Sequence, residues 1–454
     1  MLVRLLALAT LLVLTTVSAT AADWSRFRGP NGSAFSDEKG LPTKWSDSAE
    51  DGLVWKTSLP GAGASSPVIS GDKVFVTCYK GEVPASLERI LVCASRKDGK
   101  ILWQKSVKGK STEDRSNGML LTHGYSSSTP ATDGEGVYVL YGKSGVHAYD
   151  LDGKELWHKE VGSGSAPNGW GSACSPIIYK NLVIVNAAAE GQALIAFDKK
   201  TGKEAWKNPA ESLNGCWGTP ILVDLPDGKQ ELVLSVPGEV WGFDPASGKF
   251  LWYCEGVNTN ALCSSAVAKD GIVYAIGGGP GSSGAVAIKA GGKDDVSKTH
   301  LLWTKNFGAY VTSPVIVGGQ LFWVDDGGIA NCVTLKDGEL VTKKRLAGSA
   351  AGGPPAGGPP GGAPPGGGFG GGGRGRGGMG GGGREYYASV VAGDGKLYAV
   401  SRNKGTLVIS ADSKLEVLAT NKMDDASVFN AGPAIQDGQI YLRSDKFLYC
   451  IGKK

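Results

Sequence analysis

No apolar stretch in the 454-residue chain approaches the roughly 20 residues that a bilayer-spanning helix needs, which excludes a helical membrane protein. Histidine is scarce. His123, His147, His158 and His300 are scattered, and none stands at ligand spacing from Cys, Asp or Glu, so the usual zinc signatures are missing. There is no Cys-x-x-Cys-His run to attach a haem. Neither sign of charge dominates: 47 Lys and Arg against 43 Asp and Glu leave +4, and Arg374, Arg376 and Arg384 of one glycine-rich tract supply much of that excess. A nucleic-acid partner is not expected from such a balance. The glycine run 277–284 follows a strand-like segment, 272–276, but no helix pattern comes after it; a phosphate loop needs a helix N-terminus, so the run reads as a turn.

What the chain has in quantity is glycine, 71 residues, and tryptophan, 12, the composition of a turn-rich globular protein with ample core. Arg4 precedes an apolar run, 5–17, and then small residues, Ser18-Ala19-Thr20-Ala21-Ala22. Residues 1–22 therefore read as an export signal, with a soluble mature chain beginning near Ala22 or Asp23, and no cysteine stands where a lipoprotein is acylated. The expected location is periplasmic or secreted. Eight cysteines in an exported chain invite pairing. Cys78 and Cys93, on the strand-like segments 74–79 and 90–94, are the candidate disulfide, and the others read as buried thiols.

A unit ending in Gly-Lys-x-x-Trp recurs at Trp103, Trp157, Trp206 and Trp252, and Trp303 continues the series after a longer loop. A period near 50 residues, built from short β-branched runs, predicts propeller blades. Each unit opens on a Ser/Thr-Pro step or its equivalent, at Pro67, Pro130, Pro176, Pro220, Ala266, Pro314, Val390 or Val391, and Pro433. Proline is tolerated as the first residue of a strand. The count predicts an all-β, eight-bladed propeller of four-stranded antiparallel blades over residues 52–454, preceded by an extension, 23–51. The eighth unit supplies three strands, and the segment around Trp55 completes it by pairing the chain's two ends. Thr342 and the pair Val417-Leu418 stand where units six and seven should carry tryptophan. Between those units lies a Gly/Pro-rich insert, 348–383, read as a disordered surface loop; its Arg-Gly pattern resembles RNA-binding tracts, a role the exported context argues against.

The segments 148–157, 196–206 and 242–252 resemble the tryptophan-docking repeat of the pyrroloquinoline-quinone-like propellers, a superfamily that includes quinoprotein alcohol dehydrogenases and the propeller lipoprotein of the outer-membrane β-barrel assembly machine. The opening 24–32 looks like the start of many secreted members. The resemblance implies blade-docking roles for Trp55, Trp103, Trp157, Trp206, Trp252 and Trp303. Its dehydrogenases hold the quinone between a Trp and a disulfide of adjacent cysteines, beside a Ca²⁺ bound by Glu and Asn. This chain has no Cys-Cys dipeptide and no long insertions to roof a cofactor. Asp150, Asp198 and Asp244 recur at a turn position and read as turn-formers.

The segments entering each innermost strand share one face of the ring and are rich in aromatics and asparagine. The candidate ligand-binding set at this channel mouth is Tyr125, Asn168, Trp170, Asn214, Trp217, Asn260, Tyr310, Phe429 and Asn430, joined by the pair Tyr386 and Tyr387. The expected function is a non-catalytic binding or scaffolding module, monomeric, whose partner is an envelope or extracellular protein segment or a glycan, with no catalytic residue, metal or cofactor. The alternative is a Ca²⁺-dependent quinoprotein oxidoreductase of alcohols or sugars, with Trp170 or Trp217 as the stacking floor.

Overall fold

Short β-branched and aromatic runs, broken by Gly and Asp turns, form strands that within a blade pair mostly with their sequence neighbours. The computed structural model describes residues 23–83, 86–279, 282–346 and 384–453. The expected export signal and the expected insert 348–383 lie outside them. The first sheet is Val68–Ser70, Lys73–Lys80, Glu88–Ser95 and Ile101–Lys108, in that order and antiparallel. Further sheets repeat it around the ring, with innermost strands Ala131–Thr132, Ile177–Tyr179, Ile221–Asp224, Val267–Lys269, Val315–Val317, Val391–Gly393 and Ala434–Gln436. Each begins directly after its Pro-step position. The protein is an eight-bladed β-propeller. The eighth blade takes its outermost strand, Leu53–Ser58, from the other end of the chain, paired antiparallel with Phe447–Ile451, so the ring is closed by joining the two ends of the chain in one sheet.

Middle strands are buried on both faces because each blade is pressed between two neighbours; Val74 to Cys78 are all inaccessible. Outermost strands bury one face only, and every one of the eight carries a β-bulge, as between Glu155 and Trp157. The residue after the bulge is turned towards the next blade. Trp55, Trp103, Trp157, Trp206 and Trp303 occupy it and donate their indole N–H to a turn carbonyl of that blade, on Arg96, Leu151, Lys199, Pro245 and Leu335, at 2.8–3.2 Å. A glycine of the same turn lies flat on the ring. At Gly202, φ is +67° and a Cβ would meet the Trp157 ring at 2.7 Å, so both backbone and space require glycine.

Three positions depart from this arrangement. Trp252 donates instead to the buried Glu231 carboxylate at 2.8 Å, because the following blade has the loop around Gly291 where the others have the Gly turn. Thr342 keeps the contact, its hydroxyl donating to the Ser413 carbonyl. In the seventh blade the bulge places Ala419, and not the expected Val417-Leu418 pair, at the tryptophan position. The wedge it leaves is filled from the N-terminal extension by Trp45, which is buried, packs on Tyr398 with centroids 6.4 Å apart, and bonds Asn421. That is the pairing Trp55 makes with Tyr441 and Trp157 with Tyr138, at 6.0 and 6.1 Å.

The expected Cys78–Cys93 disulfide is corrected. Cys78 stands opposite Ile90 and Cys93 opposite Phe75, three positions out of register and on opposite faces of the sheet. All eight cysteines are free.

A packing test follows from the turn glycines. Gly202→Ala combines left-handed strain with a clash on Trp157, whereas Gly238→Ala (φ +85°) has nothing within 4 Å of its added carbon. Thermal unfolding should show Gly238→Ala costing about 1 kcal/mol and Gly202→Ala about 2–4 kcal/mol. Equal losses would mean that the glycine does not hold the ring.

Candidate functional site

The residue before each Pro-step proline is Ser or Thr in seven blades, and the structure gives these hydroxyls a common task. The amide of Ser66 donates to Thr129 Oγ1, that of Thr129 to Ser175, Ser175 to Thr219, Thr219 to Ser265, Ser265 to Ser313 and Ser313 to Ser389, at 2.9–3.1 Å. Seven blades are thus linked in sequence around the channel by side chains of one kind. Gly432 holds the eighth place, where an added Cβ would sit 3.4 Å from Ser66 Oγ. Each accepting oxygen retains its own proton, and none of these hydroxyls donates to another group among the described residues.

Inside this ring lies a funnel, open at its mouth, with about 90 Å³ of enclosed space, small beside the roughly 300–1,000 Å³ of sites that engulf a drug-sized molecule. Ser66, Thr219, Ser265, Ser313 and Ser389 line its waist. Trp170, Trp217, Met119, His123 and Tyr387 line the mouth. The two indoles stand 5.0 Å apart, and Tyr310 meets Trp170 edge-on at 6.0 Å. Trp217 is anchored by its N–H on the Gly171 carbonyl at 2.9 Å.

The floor comes from the N-terminal extension. Between Trp24 and Ser36 the chain crosses the far end of the channel, bonding inner strands of six blades: Ile69 to Trp24, Thr132 to Ser25, Asn31 to Leu222, Arg28 to Pro314, Ala392 to Ala34 and Trp24 to Gln436. Phe27 and Arg28 face the funnel from there. Burial lowers both guanidinium groups, Arg26 to about 10 and Arg28 to about 9, yet both stay cationic at neutral pH.

Of the sequence-predicted set, Trp170, Trp217 and Asn430 line the funnel, and Tyr310 backs it. The others do not converge. Asn168, at φ +60°, and Asn214 and Asn260 are exposed on turns. Tyr125 is tied to the Asp114 carbonyl at 2.7 Å beside a neighbouring cleft, and Phe429 packs on Tyr449 by a separate small cavity. Sequence reasoning missed His123, Met119, Cys263, the hydroxyl ring and Arg28. The Ser/Thr-Pro steps were visible as strand starts, and their periodicity was the signal for the ring. His123 is buried and its pKa is pushed down to about 4 by desolvation; its ring is held between the Gly124 carbonyl, 2.8 Å from Nδ1, and the Trp170 carbonyl, 3.0 Å from Nε2, with the Ser127 hydroxyl 2.6 Å from Nδ1, which fixes the mouth more than it supplies a base.

None of the funnel's lining residues is Asp or Glu, and no three His, Cys, Asp or Glu side chains gather into a metal cage among the described residues. These donors do not fit a Ca²⁺ of the hard, oxygen-rich kind that a calcium-assisted quinone site requires.

Beside the funnel is a buried charged cluster. Arg89 grips Glu113 with both terminal nitrogens at 2.7 and 2.8 Å, Lys143 meets Asp114 at 3.1 Å, and Glu190 Oε2 has no partner among the described residues. Burial raises the Glu190 pKa to about 7. The folded chain keeps this proton up to about pH 7, while the unfolded chain releases it near 4.5. The group's contribution to stability therefore falls as pH rises through that window. Glu190→Gln should match wild type at pH 4 and exceed it at pH 8 by ~3 kcal/mol, a rise of several degrees in the unfolding midpoint. A pH-independent difference would show that Glu190 does not titrate there.

Comparison with known proteins bears on the fold first. The quinohemoprotein alcohol dehydrogenase of Comamonas testosteroni is similar at TM-score 0.59 and 12% identity, over 95% of this chain and 81% of that one. The quinohemoprotein alcohol dehydrogenase ADHIIG of Pseudomonas putida HK5 gives 0.58 and 10%, over 95% and 80%. BamB of Moraxella catarrhalis gives 0.45 and 13%, over 88% and 98%. At these identities the likeness is one of architecture. No curated protein matches the sequence. A family model described as outer membrane protein assembly factor BamB does match, over residues 87–344, from the third strand of the first blade to the last strand of the sixth. With more than half its length so matched, the chain belongs to the PQQ_2 family of BamB-like propellers.

Proposed function

We propose that this propeller is a non-catalytic binding module of the cell envelope or exterior, and that its channel mouth receives a saccharide. The observation that carries this is the paired Trp170 and Trp217, 5.0 Å apart, above a waist of serine and threonine hydroxyls. Indole faces pack against the C–H faces of a sugar ring, and convergent hydroxyls bind its oxygens. A funnel closed at one end suits the terminus of a glycan better than a flat protein surface. The family's description as an assembly factor supports an envelope setting and a second occupant, an extended protein segment laid across the same mouth.

Calorimetric titration of the protein with mono- and disaccharides is the test. Saturable binding is expected, weakened at least tenfold by Trp170→Ala with little change in thermal midpoint, since Trp170 is only partly buried. Silence towards glycans, together with saturable Ca²⁺-dependent binding of pyrroloquinoline quinone and substrate-driven dye reduction, would replace this reading with an oxidoreductase.

A further inference from the structure

Arg28 stands out among the funnel's lining residues. It is 4% exposed, and His123 being neutral, it is the sole formal charge on the lining. One terminal nitrogen donates to the Pro314 carbonyl. Among the described residues its Nε and Nη1 have no partner and no carboxylate forms an ion pair with it. A carbonyl oxygen satisfies a donor but neutralises no charge. A buried, uncompensated cation costs several kcal/mol, so something other than stability accounts for it.

The backbone around it is also strained. Arg28 (φ +64°), Asn31 (φ +49°) and Ala34 (φ +57°) all lie in the left-handed region within seven residues. Such positions persist only where surrounding contacts over-determine them. Here the crossing of the channel holds them, and the result is a guanidinium turned into the funnel. The lining it shares includes five hydroxyls of the ring, four of them already accepting an amide N–H and each still carrying a proton to donate. A site of one cation and several O–H donors selects an acceptor that is negatively charged.

We propose that Arg28 is the receiving end of the funnel for a carboxylate, so that the ligand class is an acidic, oxygen-rich small molecule of the uronate kind. This rests on the funnel being a ligand site, and it deepens that reading from the mouth to the floor. The carboxylate enters past Trp170 and Trp217 and meets Arg28 with the hydroxyl ring around it.

The experiment compares wild type and Arg28→Gln by thermal shift and calorimetry, using sodium acetate against sodium chloride at equal ionic strength, and D-glucuronate against D-glucose. Acetate should raise the wild-type midpoint saturably where chloride does not, and glucuronate should bind at least tenfold tighter than glucose. Arg28→Gln should erase both differences, so that glucuronate binds no tighter than glucose and acetate stabilises no more than chloride. A wild-type response to acetate no greater than to chloride would overturn the proposal even if the variant failed to fold. So would equal affinity for the two sugars. In that last case, glucose binding that still depends on Trp170 would leave the funnel reading intact. Saturable acetate stabilisation without any sugar binding would do the reverse, sinking the saccharide and keeping the carboxylate.

Discussion

Everything in this protein depends on keeping eight wedge-shaped sheets at a fixed angle around one axis. A blade alone is a four-stranded sheet with two apolar faces, and it is stable only when both are covered. The bulged tryptophan answers this at the wide end of the wedge, where its ring occupies the widening gap and its N–H pins the next turn. The Ser/Thr hydroxyls answer it at the narrow end, each accepting a hydrogen bond from the backbone amide of the preceding blade around the channel. The funnel wall is a by-product of that second device, since five of the residues that tie the blades also line it.

Much of the fold was legible because both devices recur in sequence. The Gly-Lys-x-x-Trp units and the Ser/Thr-Pro steps gave the number of blades, the start of each inner strand and the pairing of the chain ends. The substitution in the seventh blade was not legible, because the ring filling its wedge is Trp45, more than 370 positions from Ala419 and carried by a segment outside the repeat. The cysteines misled for a related reason. Two thiols on adjacent strands face each other only if the turn length sets the register so, and here it sets Cys78 against Ile90.

The candidate site was half legible. Aromatics entering the inner strands do gather at one mouth, as Trp170 and Trp217 show, but of the recurring asparagines only Asn430 joins them, while Asn168, Asn214 and Asn260 stay exposed on turns. The floor was hidden because a non-repeating segment builds it. Nothing in the spacing of Arg28 tells that the chain around it will cross a channel whose walls are made hundreds of residues later.

That crossing also sets an order of assembly. Trp24 bonds Gln436, and the strand of Trp55 pairs with residues 447–451, so the earliest part of the described chain finds its last partners only when the final blade exists. Long-range closure of this kind is slow, and until it happens the funnel lacks its complete wall and floor. The pocket therefore comes into being as a whole, at the moment the circle shuts, and any molecule held there would report that folding had gone to completion.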